Sequence, residues 1–409
     1  MPSDDVIALL GGWEGYRVGT VQRYAAGAQG PTPQVWIELV RGPGPFVCSS
    51  CGRPCVRYHD REERWVRDLP ILDAQTHLLV PRYRVDCPTC GPKLEWLSWL
   101  LPWSRVTLRL AESVARLCKV LPIKHVAEFY GLGWDAVKGI DKEWLGQTLG
   151  EPDLSGLTQL ALDEFALRRG HRYATIFVEP NRKQVLWVCR GHGREDLRPF
   201  FEQQLGLEGC WQLEAVAMDM NAAYEAEVKA WCPRARIVYD LFHVVAKYGH
   251  EVIDRVRIAE AKRHRARGER QVLKGSRWLL LRNGPGLKRQ DRVRLRELLA
   301  ANRRLATVYV LKDDLKALWD YRLPSYAMRF WREWYARAIR SRIKPLKRFA
   351  RRLAAKIDGV LAHCAYPLHT SLLEGINNKI KVIKRMAYGF RDDTYFFLKI
   401  RAAFPGIPG

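Results

Sequence analysis

The sequence predicts an α+β chain of several domains, and three observations carry that prediction. Two Cys-x-x-Cys pairs lie inside a β-rich start, the hydrophobic period turns helical near residue 105, and a later block of strands and helices leads into a long basic helical stretch. At 409 residues the chain exceeds the roughly 100–200 residues usual for one domain, so two to four units are expected, with length enough for a sizeable core.

Composition narrows the function before any motif is read. The chain has 68 Lys and Arg against 44 Asp and Glu, a formal net charge of +24. Such a field gathers polyanions, so nucleic acid is the first expected partner and an anionic membrane surface the second. The sequence has no apolar run of about 18 residues, and its start, "MPSDDVIALL", lacks the basic and apolar regions of a secretory leader. A soluble, intracellular protein is expected. Ten cysteines are too few for a disulfide scaffold of this length, and five of them fall between Cys48 and Cys90, which suggests metal.

In the first segment "YRVGTVQRY" and "PQVWIELVRG" alternate as short strands and lead into "CSSCGRPC", with "CPTCG" near residue 90. Cys48 and Cys51, then Cys87 and Cys90, have the spacing of two knuckles, in which a tight turn carries two thiolates to one ion. Gly52 and Gly91 follow each pair and suit the backbone angles of such turns. With the β-rich "ERWVRDLPI" and "THLLVPRYRVD" between them, the knuckles predict a zinc ribbon over residues 1–100 whose Zn²⁺ holds the fold and binds no substrate. Cys55, His59 and His77 are alternate ligands that the spacing leaves open.

From about residue 105 "RLAESVARLCKVL" and "IKHVAEFYGLGWDAVKGIDKEWL" have helical periodicity, with a turn at Gly131 to Gly133 and a second helix starting near Trp134. This predicts a helix-turn-helix over 101–152, whose second helix can enter a DNA major groove. Trp134, Lys138 and Lys142 on it are candidate DNA contacts.

Next, "LTQLALDEFAL", "RYATIFVEP" and "KQVLWVCRG" read as three strands, followed by the helix "REDLRPFFEQQLG", the strand "LEAVAMDM", the helix "AAYEAEVKAW" and the strand "ARIVYDL". That order is the order of a ribonuclease H-like core, expected over 153–245 and completed by 366–409. An all-helical basic insertion occupies 246–365. No Gly-rich phosphate loop interrupts the block, which argues against nucleotide-binding α/β folds. In the insertion, "RIAEAKRHRARGERQVLKGSRWLLLRN" and "RFWREWYARAIRSRIKPLKRFARRLAAK" interleave arginine with Trp and Tyr, a composition able to hold phosphates, although most of those rings also suit a helical core.

Three carboxylates fall where this topology can use them. Asp163 lies mid-strand among apolar neighbours, a costly position unless a positive group pairs with it. Asp219 ends the fourth strand, next to the first in such a sheet. Glu374 comes from the helix "SLLEGINNKIKVIKR" after the insertion. Three carboxylates attract Mg²⁺ or Mn²⁺, and two such ions suit phosphodiester cleavage or strand transfer. Asn378, Lys381 and Arg385 follow Glu374 along one helix face; Asn378 and Lys381 are supporting candidates, and Lys379, Lys381, Lys384 and Arg385 are candidate contacts to DNA near the metals. An ordinary surface pair of Glu374 with Asn378 or Lys381 is the alternative. Glu164 should point away from Asp163 and is not expected to be a ligand. In "YDLFHV", Asp240 and His243 are supporting candidates, with helix capping the alternative for Asp240.

The ordered series "CSSCG…CPTCG", helix-turn-helix, "LDEF", "MDMN", "YDLFHV" and "LLEGINNKIKVIKRMAYGFRD" resembles the ISL3 family of bacterial insertion-sequence transposases, of the DDE type, over nearly the whole chain. The resemblance implies a catalytic triad of Asp163, Asp219 and Glu374, and "DLFH" is similar to an Asp-x-x-His motif that several transposase groups carry beside it. It further implies that the ribbon and helix-turn-helix recognise terminal inverted repeats on double-stranded DNA. The active form would be a homo-oligomer on paired ends, working on the nucleoid in a bacterial cytoplasm. A DNA-binding regulator derived from a transposase and a structure-specific nuclease of the same fold are the competing readings.

Overall fold

A computed structural model describes residues 12–28, 30–168, 170, 172–263, 267–282, 287–368 and 370–407. The start "MPSDDVIALL" and residues 264–266 and 283–286 of the basic run lie outside the described residues. The chain packs as two units: residues 1–150 with 383–399, and residues 151–382 with 400–409.

The first unit is built on strands β1 (Tyr16–Tyr24), β2 (Gln34–Arg41), β3 (Phe46–Val47), β4 (Pro54–Cys55), β5 (Tyr58–Ile71), β6 (Ala74–Cys87) and β7 (Gly91–Leu94). Five of them form a sheet in the order β1-β2-β6-β5, with β7 on β6, and β3 and β4 form a small ladder. Leu78 and Val80 of β6 face inward at every second position against Ile37 and Leu39 of β2, as period-two patterning requires. Both knuckle glycines have φ +71°, and nothing lies within 4 Å of where a Cβ would be. Backbone conformation, not space, therefore calls for glycine there.

Three helices follow, Leu108–Cys118, Ile123–Tyr130 and Trp134–Leu149. Thr107 caps the first by accepting from the Leu110 amide, and Gly131, at φ +59°, ends the second in the left-handed region. Asp68 of β5 is fully buried and accepts from Trp13 Nε1 at 2.7 Å, Thr107 Oγ1 at 2.6 Å and the Arg109 guanidinium, which fixes the first helix to the sheet. Residues 383–399 complete this unit, whereas the sequence pattern places all of 366–409 with the later core. The reason is polar as well as apolar: the hydroxyl of Tyr395 and Lys399 Nζ, the latter at 2.9 Å, both bind buried Asp141 of the third helix.

The second unit contains β8 (Gln159–Arg168), β9 (Arg172–Glu179), β10 (Gln184–Arg190), β11 (Ala215–Met218) and β12 (Arg236–Tyr239), in the order β10-β9-β8-β11-β12. β8, β9 and β10 are antiparallel neighbours, while β11 runs parallel to both β8 and β12. Its central strands are apolar on both faces, as expected of strands covered on each side. Helices Ala222–Trp231 and Leu241–Tyr248 flank β12, a helical region runs to residue 364, and helix Thr370–Met386 follows. No helix among the described residues is long and apolar enough to cross a membrane.

Candidate active site and metal centre

Strand register places the carboxylates. β11 pairs with β8 as Ala217 with Ala161, and with β12 as Met218 with Tyr239. Carrying each register on to residue 219 sets Asp219 beside Asp163 on one side and Asp240 on the other. Three aspartates thus form a row across three parallel strands, Asp163 midway along β8 and Asp219 and Asp240 just past the carboxyl ends of β11 and β12, the edge where open α/β sheets bind ligands.

Asp163 and Asp240 are buried, Asp219 is half-buried, and the charges of the row repel one another. Asp163 is 6% exposed. Burial pushes its carboxyl up to about 6, with Asp240 and Asp219 adding to the rise while His243 and the Glu164 amide oppose it. Asp219 is raised too, chiefly by burial. His243 Nε2 stands 3.7 Å from Asp163 Oδ1 and 3.9 Å from Asp240 Oδ2. Asp240 also caps its helix, accepting from the Phe242 amide at 2.6 Å, so capping and proximity to the site hold together.

Glu374 lies in the first half of helix Thr370–Met386, whose Leu373, Ile376 and Ile380 are buried. Glu374 itself is exposed. Lys381 Nζ donates to Asn378 Oδ1 at 3.3 Å, and Glu374 bonds neither of them nor any other described residue through its side chain. One position short of Asn378, Asn377 Nδ2 donates to Asp163 Oδ2 at 2.7 Å. This bond ties the Glu374 helix to the aspartate row, for Asn377 and Glu374 are three residues apart and share a helix face.

Three neighbours escape the sequence pattern. Asn377 is one; its only signal is the i+3 offset from Glu374. Lys247, one turn beyond His243, bears on the charge of Asp219. Glu164, expected to face away, bears on Asp219 too, and His192 Nδ1 holds it at 2.6 Å while stacking on Tyr173.

The oxygen-rich row fits a hard divalent cation, because buried carboxylates without a compensating charge are costly. Among the described residues, the one tight ligand cluster is that of the cysteines. Cys48, Cys51, Cys87 and Cys90 keep their sulfurs within 4.8 Å of one another, with Cys51 and Cys87 at 3.6 Å. Four thiolates about 2.3 Å from a tetrahedral Zn²⁺ stand about 3.8 Å apart, so the geometry fits structural zinc. Cys55 is buried against this cluster and its thiol donates to the Arg53 carbonyl. His59 is exposed, and His77 sits in the sheet against Trp36.

On helix Trp134–Leu149, Lys142 and Lys138 reach Asp392 at 2.9 and 3.3 Å. Burial of Asp392 works against its ionisation, but Lys142, the Tyr395 amide and Lys138 outweigh it and hold the carboxyl down at about 2. Trp134 is half exposed, with Lys138 Nζ 5.8 Å from its ring. Lys379, Lys381 and Arg385 are exposed; Lys384 is partly covered and, with Arg385, belongs to the first unit.

Comparison with known proteins finds matches along most of the chain. Residues 44–90 match the zinc finger of the IS204, IS1001, IS1096 and IS1165 transposases, and residues 95–145 the helix-turn-helix domain of transposase family ISL3. Residues 160–400 match the ISL3 transposase domain of DDE type. The chain is 51% identical to the transposase for insertion sequence element IS1001 of Bordetella parapertussis, over 97% of both chains. It is 28% identical to the transposase for IS1557 of Mycobacterium tuberculosis strain H37Rv, over 84% of this chain and 82% of that one. From its zinc ribbon to the aspartate row, the chain belongs to the ISL3 family of transposases.

Proposed function

We propose that this chain is a DDE transposase that binds the terminal inverted repeats of its own insertion sequence, cleaves DNA there and joins the freed 3′ ends to target DNA. Asp163, Asp219 and Glu374 are its catalytic residues, in a ribonuclease H-like core interrupted by the basic helical region 246–365. The observation that carries the reading is the row of Asp163, Asp219 and Asp240, tied through Asn377 to the helix of Glu374.

In this reading the carboxylates hold two Mg²⁺ or Mn²⁺ ions, which would activate the attacking oxygen and stabilise the leaving one. Water forms a new P–O bond at the element end and the 3′ oxygen leaves. That 3′ hydroxyl then attacks a target phosphodiester, so one P–O bond breaks for each one made and no further energy source is required. His243 stands beside Asp163 and Asp240, Asn377 fixes the Asp163 carboxylate, and Lys381 holds the strand. Oligomers on paired ends would bring two such sites together.

The test is cleavage and joining of labelled DNA bearing the element's ends, with Mg²⁺ or Mn²⁺, by the native chain and by Glu374→Gln. Metal-dependent products that vanish in the variant while end binding survives are the expected result. Full activity in the variant removes Glu374 from the triad. Specific end binding with no cleavage by either chain favours the regulator, and cleavage indifferent to the end sequence favours a nuclease.

A further inference from the structure

Charge is unevenly spread along the chain. Residues 246–365 hold 32 of the 68 Lys and Arg and only 11 of the 44 Asp and Glu, which gives them +21 of the net +24. The helix-turn-helix does not account for DNA binding by charge: the exposed side of Trp134–Leu149 shows Trp134, Asp135, Glu143 and Gln147, while its two lysines face Asp392.

Within the basic region, helices Arg303–Ala317 and Pro324–Arg340 flank a shallow, open cleft of about 580 Å³. Arg303, Arg337, Arg340, Thr307 and Ser341 line it above an apolar floor that includes Val310. Its walls are pinned, because buried Trp334 donates from Nε1 to the Leu311 carbonyl at 2.8 Å across the two helices. Arg337 is anchored by Asp314 at 2.5 Å. Arg340 donates only its Nε, to the Ala336 carbonyl at 3.2 Å, and the Arg303 side chain bonds no described residue. Both are exposed. Just past the cleft, Arg342 and Lys344 extend the positive rim, Arg342 with φ +58°.

The cleft thus presents one exposed guanidinium from each helix, neither with an acidic partner among the described residues, and an anion seated there would meet both. Their planar forks suit phosphate oxygens, and an apolar floor offers a base or carboxylate nothing specific to read. We propose that this cleft binds the phosphate backbone of duplex DNA, without reading sequence, as a contact separate from the carboxylate row. The inference rests on the reading that DNA is the substrate. It makes the basic region a positioning element, since phosphate contacts set register on the duplex while base recognition is left elsewhere.

The experiment measures affinity against salt for full-length protein on two duplexes, one with the element's end and one unrelated. The double variant R303A/R340A should weaken both by a similar factor and reduce the slope of log K against log salt by about 2, roughly 0.9 for each phosphate released. The control R322A/R332A, exposed arginines outside the cleft lining, should leave the slope unchanged. An unchanged slope in R303A/R340A, or an equal loss in the control, overturns the cleft as a site. So does binding of inorganic phosphate that depends on Arg303 and Arg340 while the DNA slope does not. If the native chain shows no preference for the end duplex, the transposase reading fails, yet the slope on the unrelated duplex still decides the cleft.

Discussion

The carboxamide of Asn377 donates to Oδ2 of Asp163 at 2.7 Å, joining a strand to a helix 214 residues away in sequence. Its own Oδ1 is buried without a partner among the described residues. A buried carbonyl oxygen left unsatisfied is a cost that a metal-bound water or a nearby donor in the assembled site would remove.

That relationship makes Asn377 a positioning residue, and it predicts a split phenotype. Asn377→Ala should leave DNA affinity within about twofold and slow cleavage of pre-bound DNA by about tenfold or more, as expected when a ligand is misplaced. Single-turnover cleavage separates the two quantities. A native cleavage rate in Asn377→Ala would sink the assignment, and a loss of binding in step with rate would make the residue merely structural.

The cysteine cluster has a small core of its own, Cys48, Cys55, Val85 and Cys87 with Phe46 and Cys90 beside them. The neighbouring sheet has a separate one, with Trp13, Ile37, Leu39, Leu78 and Val80. Zinc removal by a chelator should therefore melt the two knuckles and spare the sheet. Hydrogen exchange reads this directly: amides near Cys48–Cys51 and Cys87–Cys90 lose protection, and those of β2 and of the first half of β6, around Leu78 and Val80, keep it. Loss of protection throughout would mean that the ribbon and the sheet fold as one.

Buried Asp141 holds the segment 383–399 in the first unit, through Lys399 and Tyr395. Lys399→Met keeps the stem but leaves a fully buried carboxylate without its cation, a change that costs about 3–5 kcal/mol. The double variant Lys399→Met with Asp141→Leu should recover most of it, since a well-packed apolar pair replaces a buried ion pair at little cost. Urea midpoints of the two variants test this, and equal stability of both would show that the pair is not coupled.

Much of the site is legible in sequence because the chemistry is local. Asp163 stands out as a charge among apolar neighbours and Asp219 as the end of a short strand. Their alignment with Asp240 is not legible, because register between strands more than twenty residues apart is set by long-range packing. Helical spacing cannot choose between Asn377 and Asn378, which both lie about one turn from Glu374; the choice is made by packing, which half-buries Asn377 against Asp163 and leaves Asn378 exposed. Lys138 and Lys142 look free for DNA in the sequence because their partner, Asp392, lies 250 residues beyond Lys142. The order of strands and helices is readable throughout, since each element keeps its own hydrophobic period.

The raised carboxyl of Asp163 gives the second unit a definite pH dependence. Its folded value of about 6 exceeds the ordinary 3.8, so between those limits the native state keeps a proton that the unfolded chain has lost. Stability is therefore full below about pH 4 and falls as pH rises through 6, by on the order of 2–3 kcal/mol, with Asp219 adding in the same direction. Divalent cation should reverse the loss if, as proposed, it binds the deprotonated row. Without metal, the protection factors of β8 and β11 amides, exchange rates divided by the intrinsic rate at each pH, should be lower at pH 7.5 than at pH 5; Mn²⁺ should raise them strongly at pH 7.5 and little at pH 5. Asp163→Asn should flatten the pH slope and lose most of the Mn²⁺ effect. An equal Mn²⁺ effect in native chain and variant would place the cation away from Asp163, and the proposed catalytic centre would have to be redrawn.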